Sequence, residues 1–249
     1  MLKFISFICY LLFMANISKV MTDDGSITFY NSKVDETYHT KSGALDEALR
    51  KHVIPTGVVK LSDKQSEIVI GDVCFGLGYN SLVAITEIRK NNPDCHIQIF
   101  AFENDYEILN EITNLKLDDL HSYALGAISQ LVSKESLIEE SSDYNIHVFS
   151  DEGLTITLYV GDVLTCLPKL TNNVLDVVFF DPFSPKKHPE LWSEEIFASV
   201  HRTMKSGSLL STYSCARVVR DNLRSVGFIV KDGPSVGRRA PSTIAFKTN

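Results

Sequence analysis

No two cysteines of this chain are spaced as CxxC, and the five present, Cys9, Cys74, Cys95, Cys166 and Cys215, are scattered and odd in number. Histidines do not cluster at zinc-ligand spacing either. These absences exclude a disulfide framework and a structural metal as organising devices, and they imply a reducing, cytoplasmic setting. Long hydrophobic runs are also missing. The apolar stretch 4–15 behind Lys3 is too short to span a bilayer, and no convincing small-x-small cleavage site precedes Met21. No stable membrane partner is expected; either Met21 is the true start or the segment is a disordered or peripheral extension, and protein beginning at Met21 should be soluble and fully active. Excess positive charge is lacking as well, since the net charge of −7 argues against indiscriminate polyanion binding. The charge is nevertheless uneven: residues 1–183 hold 13 Lys+Arg against 26 Asp+Glu, whereas residues 184–249 hold 11 against 5. An anionic partner such as RNA would dock near that basic end.

What the chain does have is a corner at residues 66–82, SEIVIGDVCFGLGYNSL. Ile68, Val69 and Ile70 read as a short buried strand ending at Asp72, with a glycine turn, Gly76-Leu77-Gly78, behind it. From Asn80 to Arg89, apolar residues at Leu82, Val83, Ile85 and Ile88 mark a helix whose first N–H groups face the loop. Such a corner suits a nucleotide-like or carboxylate-bearing ligand, because glycines let it approach the backbone without meeting a Cβ. A lone GxG also occurs at ordinary αβ corners. A second strand, 97–102, ends in Glu103, at the distance where nucleoside-binding folds place an acid on the ribose; a solvated capping Glu is the alternative.

With 249 residues and 44% hydrophobic content, one α/β domain is the simplest fit. Its parts are an N-terminal extension at 1–20, a leader packing on the core at 21–60, and the main domain at 61–249. In the leader, 43–53 reads as an amphipathic helix with Leu45, Leu49, His52 and Val53 inward. Asp35, Tyr38, His39 and Ser42 line a pocket lid or a plain surface. Residues 105–140 suggest two helices broken near 113–119, and 147–149 with 154–160 a hairpin ending at Gly161-Asp162. Asp162 could accept from an adenine amino group, or merely cap the helix 163–167. Strand 175–180 is continuously apolar, as a central parallel strand should be, and runs into Asp181-Pro182-Phe183-Ser184-Pro185. An acid there sits at the carboxyl end of the sheet, where ligands of open α/β sheets bind; a turn Asp is the structural alternative. Helices at 194–204 and 216–226 and strands at 208–213, 228–231 and 243–246 complete the order. Between the last two strands, Arg238 and Arg239 stand together, solvated or gripping phosphate.

These residues resemble the tRNA 5-methylaminomethyl-2-thiouridine methyltransferases, meaning the MnmC methyltransferase domain and its stand-alone form MnmD. The resemblance spans residues 27–246 and rests on DETYHTKSGALDEA, DVCFGLGYNSL, FE at Glu103, VGD at Asp162, FFDPFSPKKHPELWSEEIF and VGFIVKDGPSVGRR. The stretch 181–192 is its specific part. It implies a Rossmann-like class I fold of seven strands with one antiparallel strand near the C-terminus, S-adenosylmethionine as cofactor, tRNA as partner and no metal. Carried onto this chain, Gly76, Gly78 and Asn80 would hold the methionine end, Glu103 the ribose and Asp162 the adenine, with Asp72 also among the cofactor-binding residues. Asp181 would border the methyl-transfer point and orient an amine, while Tyr38, Pro182 and Phe183, with Lys186, Lys187, Arg238 and Arg239, would face the tRNA. Phe183 and Trp192 are candidates for stacking on the base, with core packing the alternative for Trp192. Cys74 departs from the pattern by replacing the loop's first glycine, and fits wherever φ stays negative. The fused flavin oxidase domain of bifunctional relatives is not expected here.

Two rivals use similar features. A spermidine-synthase-like aminopropyltransferase shares the glycine loop and strand-end Asp, but its Asp-rich substrate loop is absent. A non-catalytic RNA-binding protein would retain the fold and bind without turnover. An NAD-dependent dehydrogenase is weaker, since Ser81 replaces the third glycine of GxGxxG.

Overall fold

The computed structural model describes residues 16–237 and 239–248. Nine strands form the main sheet: β4 (Glu67–Val73), β5 (His96–Glu103), β6 (Leu137–Glu140), β7 (Tyr144–Ser150), β8 (Leu154–Gly161), β9 (Leu175–Phe180), β10 (Met204–Thr212), β11 (Phe228–Asp232) and β12 (Thr243–Lys247). Their order is β11-β12-β10-β9-β4-β5-β8-β7-β6. Seven of them, from β11 to β8, make the expected class I sheet, with β12 antiparallel to both β10 and β11. β7 and β6 add an antiparallel extension beyond β8.

Alternation along the central strands builds two cores, one on each face. Ile68 and Ile70 of β4, with Val177 and Phe179 of β9, face one side. Val69, Val73, Val178 and Phe180 face the other, against Trp192, Ile196 and Phe197. All six residues of β9 are buried, so the run 175–180 reads as a doubly covered strand because it is one. The helix Tyr79–Asn91 packs on the first face with Ala44, Ala48, Val53 and Val58 of the leader.

Three expectations need correction. Residues 137–140, assigned to a helix, form β6, because the free edge of β7 satisfies their backbone groups and so short a segment carries no decisive period. Residues 17–20 are not external to the folded part: with Met21 they make β1 (Ile17–Met21), which pairs antiparallel with β2 (Ile27–Asn31) in a separate sheet completed by β3 (Glu36–Thr37). Starting the protein at Met21 would remove nearly all of that strand. The apolar stretch 4–15 lies outside the described residues. The third correction concerns Cys74, whose φ is +66°, not negative. A cysteine there occupies the left-handed region that glycine favours, and the loop carries that strain beside its glycines.

Candidate active site

The carboxyl ends of β4, β5, β8 and β9 open into a cavity of about 650 Å³, within the range of roughly 300–1,000 Å³ typical of small-molecule sites. Its lining joins sequence-distant segments: Tyr38 to Thr40, Glu47 and Lys51 from the leader, Cys74 and Gly76 from the glycine loop, Glu103 to Asp105 after β5, Asp162 to Leu164 after β8, and Asp181 to Ser184 after β9. The leader is latched over the last of these. Glu36 accepts hydrogen bonds from the Ser184 backbone N–H (2.9 Å) and hydroxyl, and Lys187 pairs with Asp35 at 3.1 Å.

The glycine loop is set from below by Glu103. Its Oε2 accepts from the Gly76 N–H at 2.8 Å, while Oε1 accepts from the N–H groups of Asn104 (2.8 Å) and Asp105 (2.9 Å). Burial pushes this carboxyl up against those three bonds, and the net shift is upward. Gly78 caps the helix Tyr79–Asn91 at φ +77°, and a Cβ there would lie 2.6 Å from the Phe75 ring, so both conformation and space require glycine. Asp162 caps the short helix Val163–Cys166 by accepting from the Leu164 N–H at 2.8 Å, and still borders the cavity.

Asp181 gathers the polar contacts of the cavity floor. Its Oδ2 accepts from Asn80 Nδ2 at 3.2 Å and lies 3.6 Å from Nε2 of His52. His52 is fully buried, its Nδ1 lies 3.0 Å from the Ser211 hydroxyl, and its Nε2 has no hydrogen-bond partner. Burial raises the Asp181 carboxyl, but His52, His39 and Asn80 outweigh it and hold the group at about 2. Asp181 is thus an anion at any physiological pH. Beside it, Phe183 lies 4.8 Å from the Tyr38 ring and stacks on His188 at 5.9 Å. The Tyr38 hydroxyl donates to Asp105 at 2.6 Å. Trp192 is not in this slot: it is 1% exposed, donates to the Phe183 carbonyl at 2.9 Å and packs on Phe180.

Several residues named from sequence stand apart from the cavity. Asp72 is fully buried behind the loop, where Oδ2 accepts from the Ser81 hydroxyl at 2.6 Å and Oδ1 has no partner. Gly78 and Asn80 shape the wall from outside the lining, and Lys186, Lys187 and Arg239 are exposed. Arg238 lies outside the described residues. The loop carrying Arg239 nevertheless abuts the cavity rim, since a Cβ on Gly237 would meet the Ser42 hydroxyl at 3.0 Å and that of Thr40 at 3.8 Å. Sequence reasoning missed Asp105, Glu47 and Lys51 and saw in His52 only an inward-facing residue. Acids and lysines at helical spacing look the same whether they face solvent or a cavity.

Burial lifts Asp72 to about 7, in spite of the Ser81 hydrogen bond. Its carboxyl titrates near 4 in the unfolded chain, so between about pH 4 and 7 the native protein holds a proton that the unfolded chain has released. Stability therefore falls as pH rises through that window and levels off above it. Relative to Asp72→Asn, wild type should lose up to about 4 kcal/mol between pH 4 and pH 8; parallel stability curves for the two proteins would remove Asp72 as the cause.

Among the described residues, no group of three or more His, Cys, Asp or Glu is placed to hold a metal, and no helix is long and apolar enough to cross a membrane. Over residues 124–248 the chain matches the model of a family described as S-adenosyl-L-methionine-dependent methyltransferase. It is 30% identical over 230 residues to the tRNA 5-methylaminomethyl-2-thiouridine biosynthesis bifunctional protein MnmC of Cupriavidus metallidurans, covering 91% of this chain and 33% of that one. An uncharacterized protein of Methanocaldococcus jannaschii is 29% identical, over 92% of this chain and 59% of its own length. The chain thus spans between a third and three-fifths of these two relatives. Among solved structures, MnmC2 from Aquifex aeolicus superposes with a TM-score of 0.78 at 28% identity, covering 92% of this chain and 70% of that one.

Proposed function

Because the chain belongs to the S-adenosyl-L-methionine-dependent methyltransferase family, we propose that it methylates the exocyclic amine of 5-aminomethyl-(2-thio)uridine at the wobble position of tRNA. The observation that carries this reading is Asp181, a half-buried anion at the end of the central strand, set beside an aromatic slot of Tyr38, Phe183 and His188. The cavity fits a cationic cofactor, since among its described lining residues seven Asp or Glu stand against a single Lys or Arg, Lys51. When bound, S-adenosylmethionine supplies a methyl group on a sulfonium, already a good leaving group. Glu103 would take the ribose hydroxyls with the acceptor capacity its three backbone bonds leave free, and Asp162 to Leu164 would border the adenine. Asp181 would accept a hydrogen bond from the substrate amine and aim its lone pair, a positioning role. Phe183 and Tyr38 would stack on the flipped base. The names of the bifunctional relative and of its structural counterpart favour this substrate over other amines.

The reading is tested by incubating the protein with methyl-labelled cofactor and tRNA that carries, or lacks, the aminomethyl group. Label should enter only the former, and binding without transfer would favour the non-catalytic RNA-binding reading. The basic end supplies a second check. Neutralising Lys186, Lys187, Arg238 and Arg239 together should flatten the salt dependence of tRNA binding while leaving cofactor affinity unchanged. An unaltered slope would return these residues to plain solvated surface.

A further inference from the structure

Lys51 sits in a π-helical turn, Leu49–Val53, and is 2% exposed although it lines the cavity. Its neighbour one turn back, Glu47, is 6% exposed and forms an ion pair with it. Glu47 is itself fixed, because its Oε2 accepts from both the N–H (2.8 Å) and the hydroxyl (2.9 Å) of Thr40. An ammonium has three hydrogens to donate. Among the described residues, Glu47 is the one acceptor found for Lys51, and Lys51 lines the cavity together with Cys74 and Gly76. A buried cation with donors to spare is costly unless an acceptor completes it.

We infer that Lys51, held and neutralised by Glu47, binds the carboxylate of the cofactor's amino-acid end, so that the cavity admits S-adenosylmethionine and rejects its decarboxylated counterpart. The inference rests on the cofactor reading given above and adds to it a determinant of specificity. Burial decides against a nucleic-acid phosphate as the partner, since a backbone phosphate cannot follow a side chain that is 2% exposed. A small carboxylate inside the cavity can. The consequence separates two reaction classes. Decarboxylated S-adenosylmethionine is the donor of aminopropyl transfer, and it would leave the spare donors of Lys51 unpaired in a dry site. A site built to hydrogen-bond one group discriminates strongly against the ligand that lacks it.

Calorimetric titration tests this without reference to turnover. Wild type should bind S-adenosylmethionine at least about tenfold more tightly than the decarboxylated form. Lys51→Met should lower affinity for S-adenosylmethionine by about tenfold or more, yet shift that for 5′-methylthioadenosine, which has no amino-acid end, by less than about threefold. Because the single variant strands the Glu47 carboxylate, the double variant Glu47→Gln, Lys51→Met is measured alongside and should show the same selective loss. Retained 5′-methylthioadenosine binding reports that the cavity is intact. Equal losses for the two ligands in both variants, or no loss in either, would overturn the inference. Wild type that binds neither ligand would overturn the cofactor reading itself, and the inference with it.

Discussion

Asp181→Asn is expected to slow methyl transfer by about 10²-fold or more, the scale of a lost orienting or acid/base group, while cofactor affinity changes little. The side chains are nearly isosteric, and the amide oxygen can still accept from Asn80 Nδ2, which lies 3.2 Å from the present carboxylate. What disappears is the anion. His52, with its Nε2 3.6 Å away, loses the carboxylate beside it, and an incoming amine would lose the acceptor proposed to aim it. The sign of the pH dependence supports the same experiment. A carboxyl held at about 2, below its unfolded value near 4, is ionised throughout the working range; its stabilising charge is lost only as pH falls from about 4 toward 2. Any titration of rate between pH 5 and 9 would therefore belong to another group, with the substrate amine the first candidate. Single-turnover rates on tRNA bearing the aminomethyl uridine, with cofactor binding measured on the same preparation, check this. Near-wild-type turnover would leave Asp181 as a structural turn and Pro182 and Phe183 as a stiff wall.

Glu103→Ala should weaken cofactor binding by roughly 1.5–3 kcal/mol, the range for hydrogen bonds to a charged group. The dissociation constant would then rise by about 10- to 150-fold. Two losses combine. The proposed contact to the ribose would go, and the N–H groups of Gly76, Asn104 and Asp105 lose their common acceptor, which loosens the glycine loop. The thermal midpoint of the cofactor-free protein should fall as well. An unchanged dissociation constant would return Glu103 to the role of a buried cap for its own turn.

The scaffold of this site is largely visible in the sequence because a few signals are strong. β9 matches its expected bounds residue for residue, since a six-residue apolar run stopped by Asp-Pro has one sensible reading in an α/β chain. The corner at β4 and the helix Tyr79–Asn91 follow from the same kind of contrast between alternation, glycine and helical period. Features that depend on tertiary contact were hidden. Cys74 adopts a positive φ that nothing in its side chain announces, because the surrounding loop imposes it. Asp72 and Asp105 could not be ranked: one withdraws behind the loop against Ser81, and the other turns inward to hold Tyr38. The leader helix was legible as a helix, but its π-helical turn, which brings Lys51 and His52 under the cavity, was not. A one-residue bulge in helical period is invisible when only polarity is read.

The account stands most directly on the nucleosides of tRNA from cells that lack this protein, analysed by mass spectrometry. It predicts that 5-aminomethyl-(2-thio)uridine accumulates at the wobble position where its N-methylated form is found in the parent, and that restoring the gene returns the methyl group. A nucleoside profile identical to that of the parent would contradict it.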